Sequence, residues 1–228
     1  MGLKLLREIN ESLDYVIEAT GVEGKKNHYL TGVFMEGGIV NRNNRLYAED
    51  VLRPEVERFN REIVKENRAF GELGHPSGPQ INLDRVAIII KEIAEKDHQY
   101  RGKALVTETP MGCIVKGLLE GGAKLGVSSR ALGSLKEGKN GEMLVQNDLK
   151  IITVDVVADP SAPNAFVEGI MENVDWVQDA TGEWKVMEAV VMEAVENTKK
   201  KIKRMNIRQI NEQKVHLFEE FLTSLTIR

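Results

Sequence analysis

The chain has 228 residues, of which 42% are hydrophobic and 29% charged, and its formal net charge is −4. This length and composition suit one domain of ordinary size with terminal extensions. The slightly acidic balance excludes the overall basic field that attracts nucleic acid. No apolar run approaches the roughly 20 residues of a membrane span. The single cysteine, Cys113, excludes an internal disulfide and is expected to pack in the core.

The first third of the chain predicts two helices with a strand between them. Residues 3–18 are expected to form a short amphipathic helix, because their apolar positions recur at steps of three or four. The sequence "GVEGKKNH" indicates an exposed connector that contains His28. "YLTGVFMEGG" is typical of a strand, and a second amphipathic helix is predicted at about 48–67.

The centre of the chain predicts short strands separated irregularly by helices. The strand-like runs are "VAIIIKEI", "KALVTET", "LGVSSRAL" and "LKIITVDVVA". A helix is predicted at about 110–121, with Thr109 as its cap and Pro110 in its first turn. This order favours an α+β fold. We expect a curved mixed or antiparallel sheet, or a small β-barrel, flanked by helices rather than a doubly wound parallel sheet.

The composition changes after about residue 174, and residues 176–228 are predicted to be a polar linker followed by a helical tail. This segment contains Val-Met-Glu-Ala-Val twice in succession, and a near copy lies at 16–19. A five-residue repeat matches neither the helical turn nor the heptad. The repeat is therefore either chance or a sequence that an enzyme recognises.

Two central strings contain candidate catalytic residues. In "FGELGHPSGP", His75 lies in a turn stiffened by prolines, as a general base requires; the alternative is a histidine that only caps the turn. "LGVSSRALGSL" places Ser128 and Ser129 in an apolar strand. A serine nucleophile needs a base and oxyanion donors, and Ser129, Arg130 and nearby backbone N–H groups are candidates for the donors. The alternative is an edge strand with a polar outer face.

A third candidate, Asp155, is the one carboxylate in the apolar strand "IITVDVVA". Burying a lone carboxylate is costly unless it is paired, and in a Ser-His-acid arrangement it would orient the imidazole. The order His, Ser, Asp differs from that of the common hydrolase folds, and the Gly-x-Ser-x-Gly motif is absent. No metal-ligand motif or phosphate-binding loop occurs, so we expect neither a metal nor a cofactor.

Four strings taken together, "NRNNRLY", "GELGHP", "GVSSRALGS" and "DVVADPSAPNA", resemble the prohead core protein proteases of T-even-type tailed bacteriophages. The resemblance covers residues 28–170. It implies a serine endopeptidase related in fold to the herpesvirus capsid-maturation proteases. It also implies that His75 is the base, Ser128 the nucleophile and Asp155 the third member, with Ser129 as the fallback nucleophile.

The resemblance further implies a substrate class and a place of action. Such enzymes cleave scaffold and major capsid proteins inside the assembling head, in the host cytoplasm, before DNA is packaged. No membrane or direct nucleic-acid partner is expected, and the oligomeric state is left open. The alternative is a non-enzymatic scaffold or capsid-interior protein that retains the protease fold.

The implied cleavage preference explains the repeated string. These proteases are similar in cleaving after Glu, with an aliphatic residue two positions before it and Ala or Gly after it. The terminal strings fit this pattern, so we expect self-cleavage at the bonds Glu18-Ala19, Glu188-Ala189 and Glu193-Ala194. The predicted organisation is then an N-terminal propeptide helix (1–19), a protease domain (20–175), and a linker and tail (176–228) removed by self-cleavage.

Overall fold

The computed structural model describes residues 2–10, 13–20, 26–158, 175–178, 182–203, 205, 213 and 215–219. The chain divides into a larger compact unit, Leu5–Glu172, and a smaller one made of Met1–Lys4 with Asn173–Arg228. Within the described ranges, no helix is both long and apolar enough to cross a membrane.

The described strands form three sheets in which antiparallel pairing dominates. In chain order they are β1 (Leu3–Asn10), β2 (Leu13–Ala19), β3 (Lys26–Glu36), β4 (Arg45–Leu46), β5 (Phe70–Glu72), β6 (Val86–Lys96), β7 (Gln99–Val106), β8 (Leu125–Gly133), β9 (Leu135–Glu137), β10 (Met143–Val145), β11 (Lys150–Ala158), β12 (Asp175–Gln178) and β13 (Trp184–Val186).

Two of the sheets belong wholly to the larger unit, with strand orders β2-β3-β7-β6-β5 and β4-β10-β9. In the third sheet β11 pairs with β8, which neighbours β1. In the smaller unit, Leu3 and Lys4 of β1 pair with β12, which pairs in turn with β13. The predicted α+β class with mostly antiparallel strands is confirmed, but the strands are divided among three sheets.

The helices are α1 (Glu49–Phe59), which continues as a π-helical turn at Asn60–Val64, α2 (Pro110–Glu120) and α3 (Met187–Lys203), with a 3₁₀ turn at Leu83–Arg85. The predictions at 48–67 and 110–121 are confirmed. The Thr109 hydroxyl accepts the Gly112 N–H at 3.2 Å, as its predicted capping position requires.

One hydrophobic core fills the larger unit between the sheets and α1. Its members are buried on the inner faces of the strands and on one side of the helix, and they include Phe34, Phe59, Ile88, Ile90 and Val154. Full burial of such a side chain stabilises the fold by about 1.5–3 kcal/mol. This core holds the strands β5, β8 and β11, from which the candidate catalytic residues project.

Strand β5 lies unusually close to β11. A Cβ atom on Gly71 would fall 2.2 Å from the Val154 carbonyl oxygen, so only glycine fits there. Beyond β5, Leu73 forms a parallel bridge with Val156, and the Gly74 N–H donates to the Val156 carbonyl at 2.7 Å. The chain that follows β5 is thereby held against the middle of β11, where Asp155 lies.

The predicted N-terminal helix is wrong. Residues 3–18 form strands β1 and β2, and β2 pairs with β3 from Leu13 to Ala19. In β1 the adjacent residues Leu5 and Leu6 are both buried. A strand covered on both faces carries apolar residues in succession, and such a short run cannot be told from a helix by spacing alone.

Two single-residue predictions are also wrong. His28 lies buried in β3 rather than in an exposed connector, and its Nδ1 atom bonds the Tyr15 hydroxyl of β2. Cys113 is exposed on α2 rather than packed in the core. In α2 the side that faces inward is occupied instead by Gly112 and Val115.

The predicted polar linker is also more ordered than expected. Strands β12 and β13 occupy its start, and α3 begins at Met187, directly within the doubled string. The predicted helical tail beyond α3 lies mostly outside the described residues, with residues 215–219 helical.

Candidate active site

His75 is placed by the turn that follows β5. Gly74 has φ of +73°, in the left-handed region that glycine adopts readily. The turn brings His75 Nδ1 to 2.9 Å from Asp155 Oδ2. The His75 side chain is 15% exposed and the Asp155 side chain is fully buried. Asp155 can thus hold the imidazole with its Nδ1 facing the carboxylate and its Nε2 directed elsewhere.

Ser128 lies directly across from Asp155 in the antiparallel β8–β11 pair. Directly opposed residues project from the same face of a sheet. The adjacent residue Ser129 is opposite Val154, which belongs to the hydrophobic core, so Ser129 projects from the other face. Ser128 and Asp155 therefore share the face on which His75 is bonded.

Three buried side-chain atoms at this site have no hydrogen-bond partner among the described residues: Ser128 Oγ, His75 Nε2 and Arg130 Nε, although the last lies 3.0 Å from Asp155 Oδ2 as an ion pair. Ser128 is fully buried. Leaving a buried donor or acceptor unbonded costs about 1–3 kcal/mol, which is why such atoms cluster where a ligand or reaction uses them.

Besides His75, the Asp155 carboxylate is held by the Glu72 main chain and the Arg130 guanidinium. Its Oδ1 accepts the Glu72 N–H at 2.9 Å and Arg130 Nη2 at 3.2 Å, and its Oδ2 lies 3.0 Å from Arg130 Nε. These donors and the guanidinium charge compensate the cost of burying an ionised carboxylate. The sequence prediction that Asp155 must be paired is confirmed.

The Arg130 guanidinium is fully buried, and both of its terminal nitrogens are hydrogen-bonded within the protein. Its Nη1 donates to the carbonyls of Gly78 and Gln80 at 2.9 and 2.8 Å, and its Nη2 donates to Glu72 Oε1 at 3.0 Å as well as to Asp155. These bonds tie β8 to the turn after His75. The guanidinium is therefore used internally, and in this arrangement it does not fit the predicted contact with an oxyanion.

Glu72 is a buried acid that the sequence analysis missed. Besides Arg130, its carboxylate accepts the backbone N–H of Asn82 at 3.0 Å and the Asn82 side-chain amide at 3.1 Å, and Arg85 Nε lies 3.4 Å away. The signal was present in "FGELG", where one acid stands in a short run with apolar neighbours. It is the same signal that singled out Asp155.

Strand β1 also contacts the turn that carries His75. Arg7 Nη2 donates to the Pro76 carbonyl at 2.7 Å. The next residue, Glu8, accepts bonds from Asn43, Arg45 and Tyr47 at 2.7, 3.0 and 2.8 Å. Burial, and next the Glu8 carboxylate, raise the pKa of Tyr47 well above its ordinary value, so the phenol stays a donor. The string "NRNNRLY" thus serves to hold β1.

The predicted self-cleavage bonds lie in regular secondary structure. Glu18 and Ala19 end β2, where Glu18 Oε1 is 2.6 Å from Lys103 Nζ and Ala19 pairs with Lys26. The two C-terminal bonds lie in α3. Glu188 and Ala189 are exposed in its first turn, and Ala194, which follows Glu193, is buried.

Residues 11–175 match a family model described as prohead core protein serine protease. The chain therefore belongs to this family, the serine proteases that act in the phage prohead during capsid assembly. The resemblance inferred from the four strings is confirmed.

A curated sequence and a solved structure from phage T4 are similar to this chain. The chain is 40% identical over 144 residues, 61% of its own length and 67% of the relative's, to the prohead core protein protease of Enterobacteria phage T4. It also superposes with a TM-score of 0.65 on the structure of the bacteriophage T4 capsid assembly protease, gp21. That match has 31% identity and covers 69% of this chain and 99% of that one.

Proposed function

We propose that this protein cleaves peptide bonds with a Ser-His-Asp triad in which Ser128 is the nucleophile, His75 the general base and Asp155 the residue that orients the histidine. The observation that carries the proposal is the 2.9 Å bond between His75 Nδ1 and Asp155 Oδ2 on the face from which Ser128 projects. The unbonded state of Ser128 Oγ and His75 Nε2 among the described residues supports it.

The chemistry would run in two halves. Ser128 Oγ attacks the scissile carbonyl carbon while its proton passes to His75 Nε2, and Asp155 stabilises the resulting imidazolium. The imidazolium gives this proton to the leaving amine as the C–N bond breaks, which leaves an acyl-enzyme. Water then attacks the acyl carbon, its proton passes through His75 back to Ser128 Oγ, and the acid product leaves.

Oxyanion stabilisation would come from backbone N–H groups next to Ser128. Ser129 and Arg130 remain the candidates, through their main chain, since the guanidinium of Arg130 is occupied internally. Because Ser128 is fully buried, neighbouring residues must move before a substrate carbonyl can reach its Oγ atom.

A fluorophosphonate probe tests the nucleophile without any assumption about cleavage specificity. Ser128 Oγ would displace fluoride from phosphorus, and peptide mapping by mass spectrometry would locate the adduct. We expect the adduct on Ser128 in the wild type and in Ser129→Ala, and no adduct in Ser128→Ala. An adduct on Ser129 would show that Ser129, and not Ser128, is the nucleophile. A wild-type protein that does not react would favour the alternative of a non-enzymatic scaffold or capsid-interior protein.

We further propose that cleavage follows Glu when an aliphatic residue stands two positions before it and Ala or Gly after it, and that the chain processes itself after Glu18, Glu188 and Glu193. The exposure of Glu188 and Ala189 in the first turn of α3 supports access there, because the ends of helices fray most easily. A cut at any of the three bonds requires local unfolding, since proteases bind extended chain.

The substrates would be scaffold and major capsid proteins of the assembling head. The similarity to the T4 capsid assembly protease supports this class of substrate. We also propose that the fold is related to that of the herpesvirus capsid-maturation proteases. A purified prohead challenged with wild type and Ser128→Ala would test the substrates: fragments ending in Glu should form only with the wild type.

A further inference from the structure

Three charged side chains form a cluster beneath His75: Glu72, Arg130 and Asp155. All three are fully buried. The Arg130 guanidinium stands between the two carboxylates, bonded to Glu72 Oε1 at 3.0 Å and to Asp155 Oδ1 at 3.2 Å. With both acids ionised, the cluster carries one net negative charge. The triad chemistry uses only Asp155, which leaves Glu72 without an assigned purpose.

We propose that Glu72 is a positioning residue that sustains the basicity of His75 by offsetting the charge of Arg130 on Asp155. The proposal rests on the assignment of His75 as the base. Glu72 does not have to touch the substrate for this. It acts through Arg130 on the carboxylate, and through Asn82 on the turn between His75 and the 3₁₀ turn.

Arg130 and Glu72 have opposite effects on the charge beside His75. Arg130 alone would neutralise Asp155, and an imidazolium formed beside that neutral pair would stand as an uncompensated buried cation. Glu72 restores the negative charge, so that proton uptake by His75 brings the cluster to neutrality. Buried charges are stabilised by opposite charge nearby far more than exposed ones, because the surroundings screen them little.

Two cations among the described residues, Arg85 and Arg7, oppose this effect, and they belong to two other elements. Arg85, in the 3₁₀ turn, lies 3.4 Å from Glu72 Oε2, but its side chain is 44% exposed and therefore partly screened by water. Arg7 of β1 donates to the Pro76 carbonyl beside His75. Removing a cation should therefore act oppositely to removing Glu72.

Glu72 also holds the geometry of the turn. Its carboxylate accepts both the main-chain and the side-chain N–H of Asn82, while Arg130 binds the Gly78 and Gln80 carbonyls. The pair thus fixes the turn that begins at His75 and ends at Asn82. The effect of the Glu72 charge can be separated from its effect on the turn geometry, because Glu72→Asp keeps the negative charge but shortens the side chain.

The test measures the pH dependence of Ser128 phosphonylation by a fluorophosphonate in the full-length wild type, Glu72→Gln, Glu72→Asp and Arg85→Gln. Phosphonylation reports the base directly and needs no peptide substrate. For Glu72→Gln we expect the acid limb of the pH–rate profile to move by about one unit to lower pH, and the rate on the plateau above the limb to fall by up to about tenfold. Glu72→Asp should keep the wild-type limb, and Arg85→Gln should move the limb slightly to higher pH.

Glu55→Gln is the matched control. Glu55 is likewise a buried acid, paired with Arg58 at 2.6 Å and accepting the Ile151 N–H at 2.6 Å, but it belongs to α1. If Glu72 only stabilised the fold, Glu72→Gln and Glu55→Gln would lower the melting temperature and the phosphonylation rate to the same extent. Neither variant would then move the acid limb of the pH–rate profile, and this result would overturn the proposal.

If Glu72→Gln does not fold, the direction of the Arg85→Gln shift decides: an unmoved limb, or one moved to lower pH, contradicts the charge coupling. If Ser128→Ala is labelled as fast as the wild type, the proposed triad itself has failed, which is distinguishable from a failure confined to Glu72.

Discussion

Ser128 and Asp155 are direct partners across the antiparallel β8–β11 pair, and this single register relation separates the two adjacent serines. Ser128 shares the face of Asp155, whereas Ser129 is opposite Val154 on the face that packs into the core. Because successive side chains of a strand project from opposite faces, a shift of the β8–β11 register by one residue would exchange the positions of Ser128 and Ser129.

Removing either hydroxyl should therefore have unequal effects. Ser128→Ala is expected to abolish self-cleavage, measured by intact mass, while the circular dichroism spectrum and melting temperature stay near those of the wild type. Ser129→Ala is the matched control and should retain cleavage. Loss of activity in Ser129→Ala with retention in Ser128→Ala would reverse the assignment.

Asp155→Asn is expected to lower the cleavage rate by about 10⁴, because the amide favours the wrong histidine tautomer and no longer stabilises the imidazolium. Asp148→Asn is a suitable control. That carboxylate also accepts a backbone N–H, from Ser134 at 2.8 Å, but at an exposed position. Steady-state rates on one peptide substrate should separate the two variants, and equal rates would contradict the role of Asp155.

Gly71→Ala should destabilise the protein by about 1–3 kcal/mol, since its Cβ would lie 2.2 Å from the Val154 carbonyl oxygen and the strands must separate. Chemical denaturation followed by fluorescence measures this free energy of unfolding. Gly117→Ala, in α2, is the control: its Cβ would meet no described atom within 4 Å, and the helix should gain up to about 1 kcal/mol. Equal free energies of unfolding for the two variants would show that β5 can move away from β11 at little cost.

The doubled string predicts redundancy in processing. Glu188→Gln alone should move the C-terminal cut to the bond after Glu193, and the double change Glu188→Gln, Glu193→Gln should leave the tail attached, as intact mass would show. Glu196→Gln, in the same helix but in a string that does not fit the pattern, should change nothing. If the wild type keeps its whole tail while Ser128 is reactive, the repeat is a chance feature of α3.

The site residues were easiest to predict where a residue type is unusual for the sequence around it. An acid in an apolar strand led to Asp155, and a histidine among glycines and prolines led to His75; their 2.9 Å contact confirms that the two residues meet. Glu72 carries the same signal but is not among the predicted site residues. The strands β6, β7, β8 and β11 followed from their apolar runs, and α2 from its cap and its first-turn proline.

Other features depended on contacts that no local pattern encodes. β1 has the spacing of a helix, but its adjacent leucines are buried because it lies in a sheet. The engagement of Arg130 with two carboxylates and two carbonyls depends on the path of the turn after His75. A basic side chain next to a serine could equally have faced a substrate, and only the three-dimensional arrangement distinguishes these uses.

The anchoring of β1 changes what a cut after Glu18 would produce. Glu8 is held by Asn43, Arg45 and Tyr47, and Arg7 is bonded to the Pro76 carbonyl. Severing the peptide bond leaves all of these contacts in place. The product would then be a nicked complex in which the fragment ending at Glu18 stays bound as a non-covalent subunit. Its two pieces would stay together in a native mass spectrum and separate under denaturing conditions. Release of the fragment, rather than the cut itself, would be the step that frees the turn beside His75.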